Sequence, residues 1–381
     1  KVTARDLKQA LSVIGKVIER RNTIPVLCNA LLTARGGFLE IVGTDLDVEA
    51  AITIPLIADC EFDFPTINAR AAADAIKAAK PDQEILIKCE EGELEAVSIA
   101  FGPVAVRLAT IQRDNFPTIA RLPQGGVTAF DMSGPAFVSL VTAPAFAMSQ
   151  EETSYYLNGV YLHALQQYEA GPFTLRAVAT DGHRLCSDDA PAPQGAAGMP
   201  GVIIPRKTVL LIAPAFKNAK TVTVTASAEK ITIESERVRI TSKLIDGEYP
   251  DYERVCPKNP PRVASFDPRA LADNVKSLLS VSADHSRSVR LSFNGALAGY
   301  VNNPESGTAS FDQALDSHTV AGVMGEPDEL QIGFNGAYVC DELAAMEYAD
   351  GLQFGMTDAG SPVLITAPGS SRRVVVMPLR V

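Results

Sequence analysis

Six consecutive residues, Thr180-Asp181-Gly182-His183-Arg184-Leu185, hold the densest set of groups able to do chemistry in this sequence. Asp181 could orient His183 as a general base, which would require a nucleophile within reach. The same residues have a plainer reading: Asp-Gly between two apolar-rich runs is the signature of a two-residue type I′ hairpin, in which both central residues take positive φ. His183 and Arg184 then stand just past a turn at one end of a sheet, as contact-making side chains. No G-x-S-x-G, H-E-x-x-H, G-x-x-x-x-G-K or G-x-G-x-x-G motif occurs. His163, His285 and His318 form no spaced set for zinc. The expectation is a contacting turn with no catalytic residue, no metal and no cofactor, and an Asp181/His183 hydrolase is the alternative.

Two further segments could bind. The C-terminal run Val374-Val375-Val376-Met377-Pro378-Leu379-Arg380-Val381 reads as a strand up to Met377, which Pro378 then breaks to leave an open apolar tail. It suits either a last strand tucked into a core or a groove for variable apolar side chains, where a flexible methionine is useful. Tyr155-Tyr156-Leu157-Asn158-Gly159 puts adjacent tyrosines at the entry to a strand, so one can pack while the other reaches a phosphate or sugar. A pair of ordinary strand aromatics is the commoner explanation.

The elements that must position these residues occur three times. A strand, a polar break and a second strand appear at 38 to 54, at 173 to 189 and, more faintly, at 289 to 311. The breaks Thr44-Asp45, Thr180-Asp181 and Asn302-Asn303 lie 136 and then 122 residues apart. Helix-like stretches follow at 68 to 80, 205 to 220 and 335 to 350, and "FPTI" at 116 to 119 returns as "YPDY" at 249 to 252. Three units in 381 residues are each of ordinary domain size, which predicts domains over 1–124, 125–262 and 263–381.

Charge is unevenly spread over these units. The net charge of −11 counts against nucleic acid, yet segments 1–21, 68–80 and 205–220 sum to +10 and leave −21 for the rest. All three read as helices: Leu7, Leu11, Ile14 and Ile18 form a stripe, and Thr3 with Asp6 makes a capping box. Each basic face could be merely solvated, but recurrence in the first two units favours phosphate contact. The equivalent stretches 133–148, 267–284 and 335–350 are not basic. Hydrophobic residues make up 46%, enough for a core in each unit. Six cysteines without a C-x-x-C pair point to a reducing cytoplasm, and neither a membrane span nor an export signal is evident.

Taken together the segments resemble the bacterial DNA polymerase III beta subunit family. The similarity runs through "RNTIPVLCNALL" (21 to 32), "TDLDVEA" (44 to 50), "FPTI" (116 to 119), "YYLNGVYL" (155 to 162), "TDGHRL" (180 to 185), "IPRKTV" (204 to 209), "KLIDGEYPDYERVCPKNP" (243 to 260), "VNNPE" (301 to 305), "IGFN" (332 to 335) and "VVMPLR" (375 to 380). The resemblance implies an α+β chain of three tandem DNA-clamp domains of like fold, with outer antiparallel sheets and inner helices, closing head to tail into a ring-shaped homodimer. It implies a non-catalytic sliding clamp of the DNA polymerase III holoenzyme that encircles duplex DNA as a processivity factor. An acidic outside with a positive lumen would reconcile the net charge with DNA. A paralogue with altered partner or inhibitor binding shares the same pattern.

By the same resemblance, a peptide pocket between the second and third domains is lined by Leu157, Thr180, Gly182, His183, Arg184, Leu185, Pro250, Arg254, Val255, Asn335, Tyr338, Val375, Val376, Met377, Pro378, Leu379 and Arg380. It would receive short linear segments of the polymerase alpha subunit, the clamp loader and repair proteins. Affinities around micromolar, about −8 kcal/mol, suit partners that exchange. The DNA-facing residues would be Arg21, Arg70, Tyr155, Tyr156, Arg206 and Lys207, and the ring interface would include Val106, Leu108 and Leu279. Where many relatives have an arginine before the tyrosine pair, this chain has Ser154.

Overall fold

A computed structural model describes the chain except residues 20, 21, 91–95, 120, 121, 123–126, 167–170, 283–286, 294, 295, 315–329, 347–350 and 381. Among the described residues there are six α-helices: α1 (Ala4–Val17), α2 (Ala69–Ala75), α3 (Gly134–Thr142), α4 (Arg206–Phe216), α5 (Pro268–Leu279) and α6 (Gly336–Ala345). Each starts where a strand ends, and five of the six strand ends supply a capping oxygen. Thr3 accepts from the Asp6 amide, Asn68 from Ala71, Ser133 from Ala136, Asp267 from Arg269, and Asn335 from Ala337 and Tyr338. These are the residue types that satisfy the orphan amides of a first turn. Pro205 takes the sixth position without a side-chain bond.

The half of the predicted capping box of α1 in which Thr3 Oγ1 accepts the Asp6 amide is present, and the Asp6 carboxylate returns to the Thr3 hydroxyl, Oγ1 to Oδ2 at 2.7 Å, in place of the Thr3 amide. Leu7, Leu11, Ile14 and Ile18 are all buried. The helix predicted over 68–80 is much shorter, ending at Ala75. Pro214 lies within α4, which still runs to Phe216.

After each helix the chain makes a three-strand antiparallel meander. The six are Asn29–Arg35, Phe38–Thr44, Val48–Pro55; Glu84–Glu90, Ala96–Phe101, Val104–Ile111; Gly159–Gln166, Phe173–Thr180, Arg184–Pro191; Thr221–Ala226, Lys230–Glu234, Val238–Lys243; Ser288–Phe293, Ala296–Asn303, Gly307–Ala314; and Leu352–Met356, Val363–Thr366, Arg373–Val376. Short connections leave consecutive strands no other pairing than antiparallel. The threefold repeat read in the sequence is thus built from two such helix-and-meander halves per third. Helices pair within each third: α1 with α2, α3 with α4, α5 with α6.

Meanders join edge to edge. Val48–Pro55 pairs with Val238–Lys243, and Arg184–Pro191 with Arg373–Val376. Because ladders cross from one third of the sequence to the next, compactness divides the chain differently from the repeat. One unit is Lys1–Thr142 with Ala192–Asp246, and the other is Ala143–Pro191 with Gly247–Val381. Each has its own core. Ile14, Ile41, Val209 and Ile240 are fully buried in the first, and Val178, Leu291, Phe334 and Phe354 in the second.

All three polar breaks are closed by the same side-chain contact. Asp45 Oδ1 accepts the amides of Asp47 and Val48, Asp181 Oδ1 those of His183 and Arg184, and Asn303 Oδ1 those of Glu305 and Ser306. The expected type I′ turn is therefore corrected at Asp181: only Gly182 has positive φ, at 87°, and the aspartate instead folds the turn through its own side chain. The first two turns also share a threonine, whose Oγ1 donates to the carbonyl four residues on: Thr44 to Val48 at 3.0 Å and Thr180 to Arg184 at 2.7 Å.

Candidate functional site

The Thr180–Arg184 turn, the 3₁₀ segment Ala143–Ala147, the start of α6 and the tail after Val376 converge within the second unit, and Arg184 ties them together. Its Nε donates to Asp181 Oδ2 at 3.1 Å, Nη1 to Asp341 Oδ2 at 2.8 Å and Nη2 to the Phe146 carbonyl at 2.8 Å. The guanidinium lies 4.2 Å from the centre of the Tyr338 ring and 5.3 Å from that of Phe146, so cation–π attraction adds to the charged hydrogen bonds. Burial opposes the charge, but the bond to Asp341 and the charge of Asp181 outweigh it and hold the group above its ordinary pKa. Burial also pushes the Tyr338 hydroxyl up, with Asp181 adding to it. His183 is exposed and stacks with the tyrosine at 6.4 Å.

This geometry decides the chemistry of Asp181. Both its oxygens are taken up by the turn amides and by Arg184, and the His183 amide, not its ring, is the partner. The carboxylate shapes the turn and balances Arg184; it does not prepare a general base.

In the same unit, the 3₁₀ turn Tyr252–Val255 leaves Val255 45% exposed and Arg254 outside, paired with Asp251 at 2.8 Å. Its anchor is Arg176, only 6% exposed, on the strand Phe173–Thr180. Arg176 binds Asp189 through two bonds of 2.6 and 2.7 Å and also meets Glu253, which Arg373 reaches at 2.9 Å. Burial works against the Glu253 charge, but Arg373 and Arg176 more than offset it, so its pKa is lowered. His163 shares a 2.9 Å hydrogen bond with the Tyr252 hydroxyl, and burial followed by the charge of Arg176 lowers its pKa.

The tail is a correction. The strand ends at Val376, and the residues beyond it are fastened, not open: the Met377 amide donates to the His183 carbonyl and the Leu379 amide to that of Gly333, each at 2.8 Å. Pro378, with no amide hydrogen, sits between the two bonds. Met377 is 36% exposed, whereas Val375 and Val376 are buried and back the surface instead of lining it. Leu157 and Leu185 are likewise buried, Thr180 and Asn335 are half-buried, and Pro250 is exposed. Phe146 and Asp341, which hold Arg184, were not read from the sequence: a backbone carbonyl carries no sequence signal, and Asp341 looks like one more acid on an acidic helix.

The basic residues are less available than their sequence suggests. Lys207 pairs with Asp45, and Arg70 lies 4.0 Å from Asp74. Lys8 donates to the carbonyls of Lys77 and Ala79, and Arg5 pairs with Asp82. Arg206 opens α4, and Arg21 lies outside the described residues. Tyr155 is 54% exposed and meets Tyr156 edge-on at 5.7 Å. A Cβ at Gly247 would stand 3.0 Å from that of Tyr156, so the close approach needs glycine. Val106 and Leu279 are half-buried, and Leu108 is buried in the protomer.

Models of the N-terminal, central and C-terminal domains of the DNA polymerase III beta subunit match residues 1–120, 132–251 and 253–380. The beta sliding clamp of Caulobacter vibrioides is 36% identical over 387 residues, covering 98% of both chains. A crystal structure of the Caulobacter crescentus beta sliding clamp with polyethylene glycol bound superposes with a TM-score of 0.89 at 34% identity, covering 100% of this chain and 98% of that one. The sliding clamp of Bartonella birtlesii bound to griselimycin gives a TM-score of 0.88 at 34% identity, covering 98% of each. The class is thus a three-domain DNA clamp. The chain belongs to the DNA polymerase III beta subunit family, the beta sliding clamps, and is a non-catalytic processivity factor of DNA replication.

Proposed function

We propose that two copies close head to tail around duplex DNA in the cytoplasm, and that the cleft around Arg184 and Tyr338 receives linear segments of the polymerase alpha subunit, the clamp loader and repair proteins. The observation that carries the cleft is Arg184. It is braced by Asp181, Asp341 and Phe146 against the aromatic face of Tyr338, and the exposed Met377 is tied by its amide to the carbonyl of the adjoining His183. An apolar groove with a few fixed polar groups is the usual receptor for a short peptide. Griselimycin, bound by the Bartonella relative, is taken as a ligand of this cleft.

Closure is supported by strand edges. In Val104–Ile111 the segment before Thr110 has a neighbour on one side only among the described residues, and Gly307–Ala314 ends its sheet. Such edges add further strands readily. Arg21, Arg70, Tyr155, Tyr156, Arg206 and Lys207 are the proposed DNA contacts, and Val106, Leu108 and Leu279 belong near the closing edges.

The test is a chain lacking Met377 to Val381. Its griselimycin affinity falls at least about tenfold, or ~1.4 kcal/mol, by calorimetry, while its mass in solution stays that of the intact dimer. Unchanged affinity would refute the cleft.

A further inference from the structure

Glu342 is an acid in the wrong place for an acid. It lies in α6 one turn beyond Tyr338, is 0% exposed, and neither carboxyl oxygen has a hydrogen-bond partner among the described residues. Isolated buried carboxylates are costly, and such groups keep their proton instead. Burial is the main cause of its raised pKa; Arg184 opposes the rise, and Asp181 and Asp341 reinforce it.

The charged and titratable groups around it come from every neighbouring element. The turn brings Asp181, and the strand Arg184–Pro191 brings Arg184, Cys186 and Asp188. Arg372 approaches from before the last strand, bound to Asp188 and to the Ala345 carbonyl. α6 itself adds Tyr338, Cys340 and Asp341, and α5 packs alongside with Asp273 and Lys276. Arg184 is the group whose allegiance a charge on Glu342 would change. Its present partner Asp341 is 54% exposed, so that attraction is screened by water, whereas a buried anion would act with little screening.

We propose that Glu342, carried as the neutral acid, is the positioning residue that leaves Arg184 in its bonds to Asp181, Asp341 and Phe146 beside the cleft, and that its ionisation draws Arg184 away from them and weakens ligand binding. This rests on the cleft reading above. The proton leaves to solvent and returns from it, and no other bond changes. By linkage, a cleft ligand that prefers the neutral form raises the pKa of Glu342 in turn.

The test uses the full-length chain and Glu342→Gln, which keeps the shape and cannot ionise. Griselimycin affinity is measured from about pH 5.5 to about pH 9.5, alongside the Arg184 Nε–H resonance of the free protein by NMR. Expected is a loss of about tenfold in wild-type affinity towards high pH that Glu342→Gln does not show, a usual size for coupled sites. The Arg184 resonance should move over the same range in the wild type alone. Equal pH profiles for the two proteins, or an Arg184 resonance that does not titrate, would overturn the proposal. If the ligand fails to bind at every pH while the Arg184 resonance still titrates in the wild type alone, the cleft reading falls and the positioning role of Glu342 stands. If Glu342→Gln does not fold, Glu342→Leu takes its place in both measurements, and a wild-type Arg184 resonance that stays unmoved over the range overturns the proposal without any variant.

Discussion

At the scale of single residues, the turns show how one local solution is reused with different side chains. Leu46 and Gly182 occupy equivalent positions with φ of 79° and 87°. Glycine takes that conformation freely, while leucine pays steric strain, of order 1–2 kcal/mol in left-handed geometry. The first unit accepts the strain because Asp45 is held on both flanks: its Oδ1 by the turn amides and its Oδ2 by Lys207. Around Gly182 a Cβ would meet nothing within 4 Å, so a side chain there costs backbone energy alone. Gly182→Ala is expected to lower stability by about 1 kcal/mol in urea unfolding. An unchanged midpoint would show that the turn relaxes out of the left-handed region.

Elements are positioned by charges buried between them. The 3₁₀ turn Tyr252–Val255 hangs on Arg176, Glu253, Arg373 and the His163–Tyr252 bond, so the position of Val255 is as firm as this network. The folded pKa of His163 lies below its ordinary value. Below that ordinary value the unfolded chain takes up a proton that the native state resists, so stability is present near neutrality and is lost as pH falls. The loss begins near pH 6.5 and amounts to at most about 1.4 kcal/mol per pH unit. Urea titrations at pH 7 and pH 5 should show the drop in wild type and a smaller one in His163→Gln. Identical drops would remove His163 from the account.

For the whole molecule, the proposed ring would make topology matter more than the strength of any one contact. Several cations of the basic segments are already paired, Lys207 with Asp45 and Arg5 with Asp82 among them. That fits a protein held on DNA by closure, since few phosphate contacts give weak and salt-sensitive binding. Clamp loaded on a closed circle should remain bound without ATP and leave once the circle is cut, as followed by gel filtration of the labelled protein. Retention on the linear form with unblocked ends would count against a ring.

The sequence by itself determined what depends on local chemistry. The side-chain cap at Thr3, the apolar stripe of α1 and the three polar breaks all appear where the sequence puts them, because each is set by residues within a few positions of one another. Its ten family segments also carried the identity. What only the tertiary structure decided is whatever depends on distant partners. The repeat marks domains over 1–124, 125–262 and 263–381, but which strands join one third to the next, as Val48–Pro55 does with Val238–Lys243, is decided only where strand edges meet. The charge of Lys207 is legible in the sequence, but its pairing with Asp45, 162 residues away, is not. Glu342 looked like a surface acid of an acidic helix, and only packing shows it to be buried without a partner. Burial and pairing are properties of the assembled fold, and no window of sequence contains both members of such contacts.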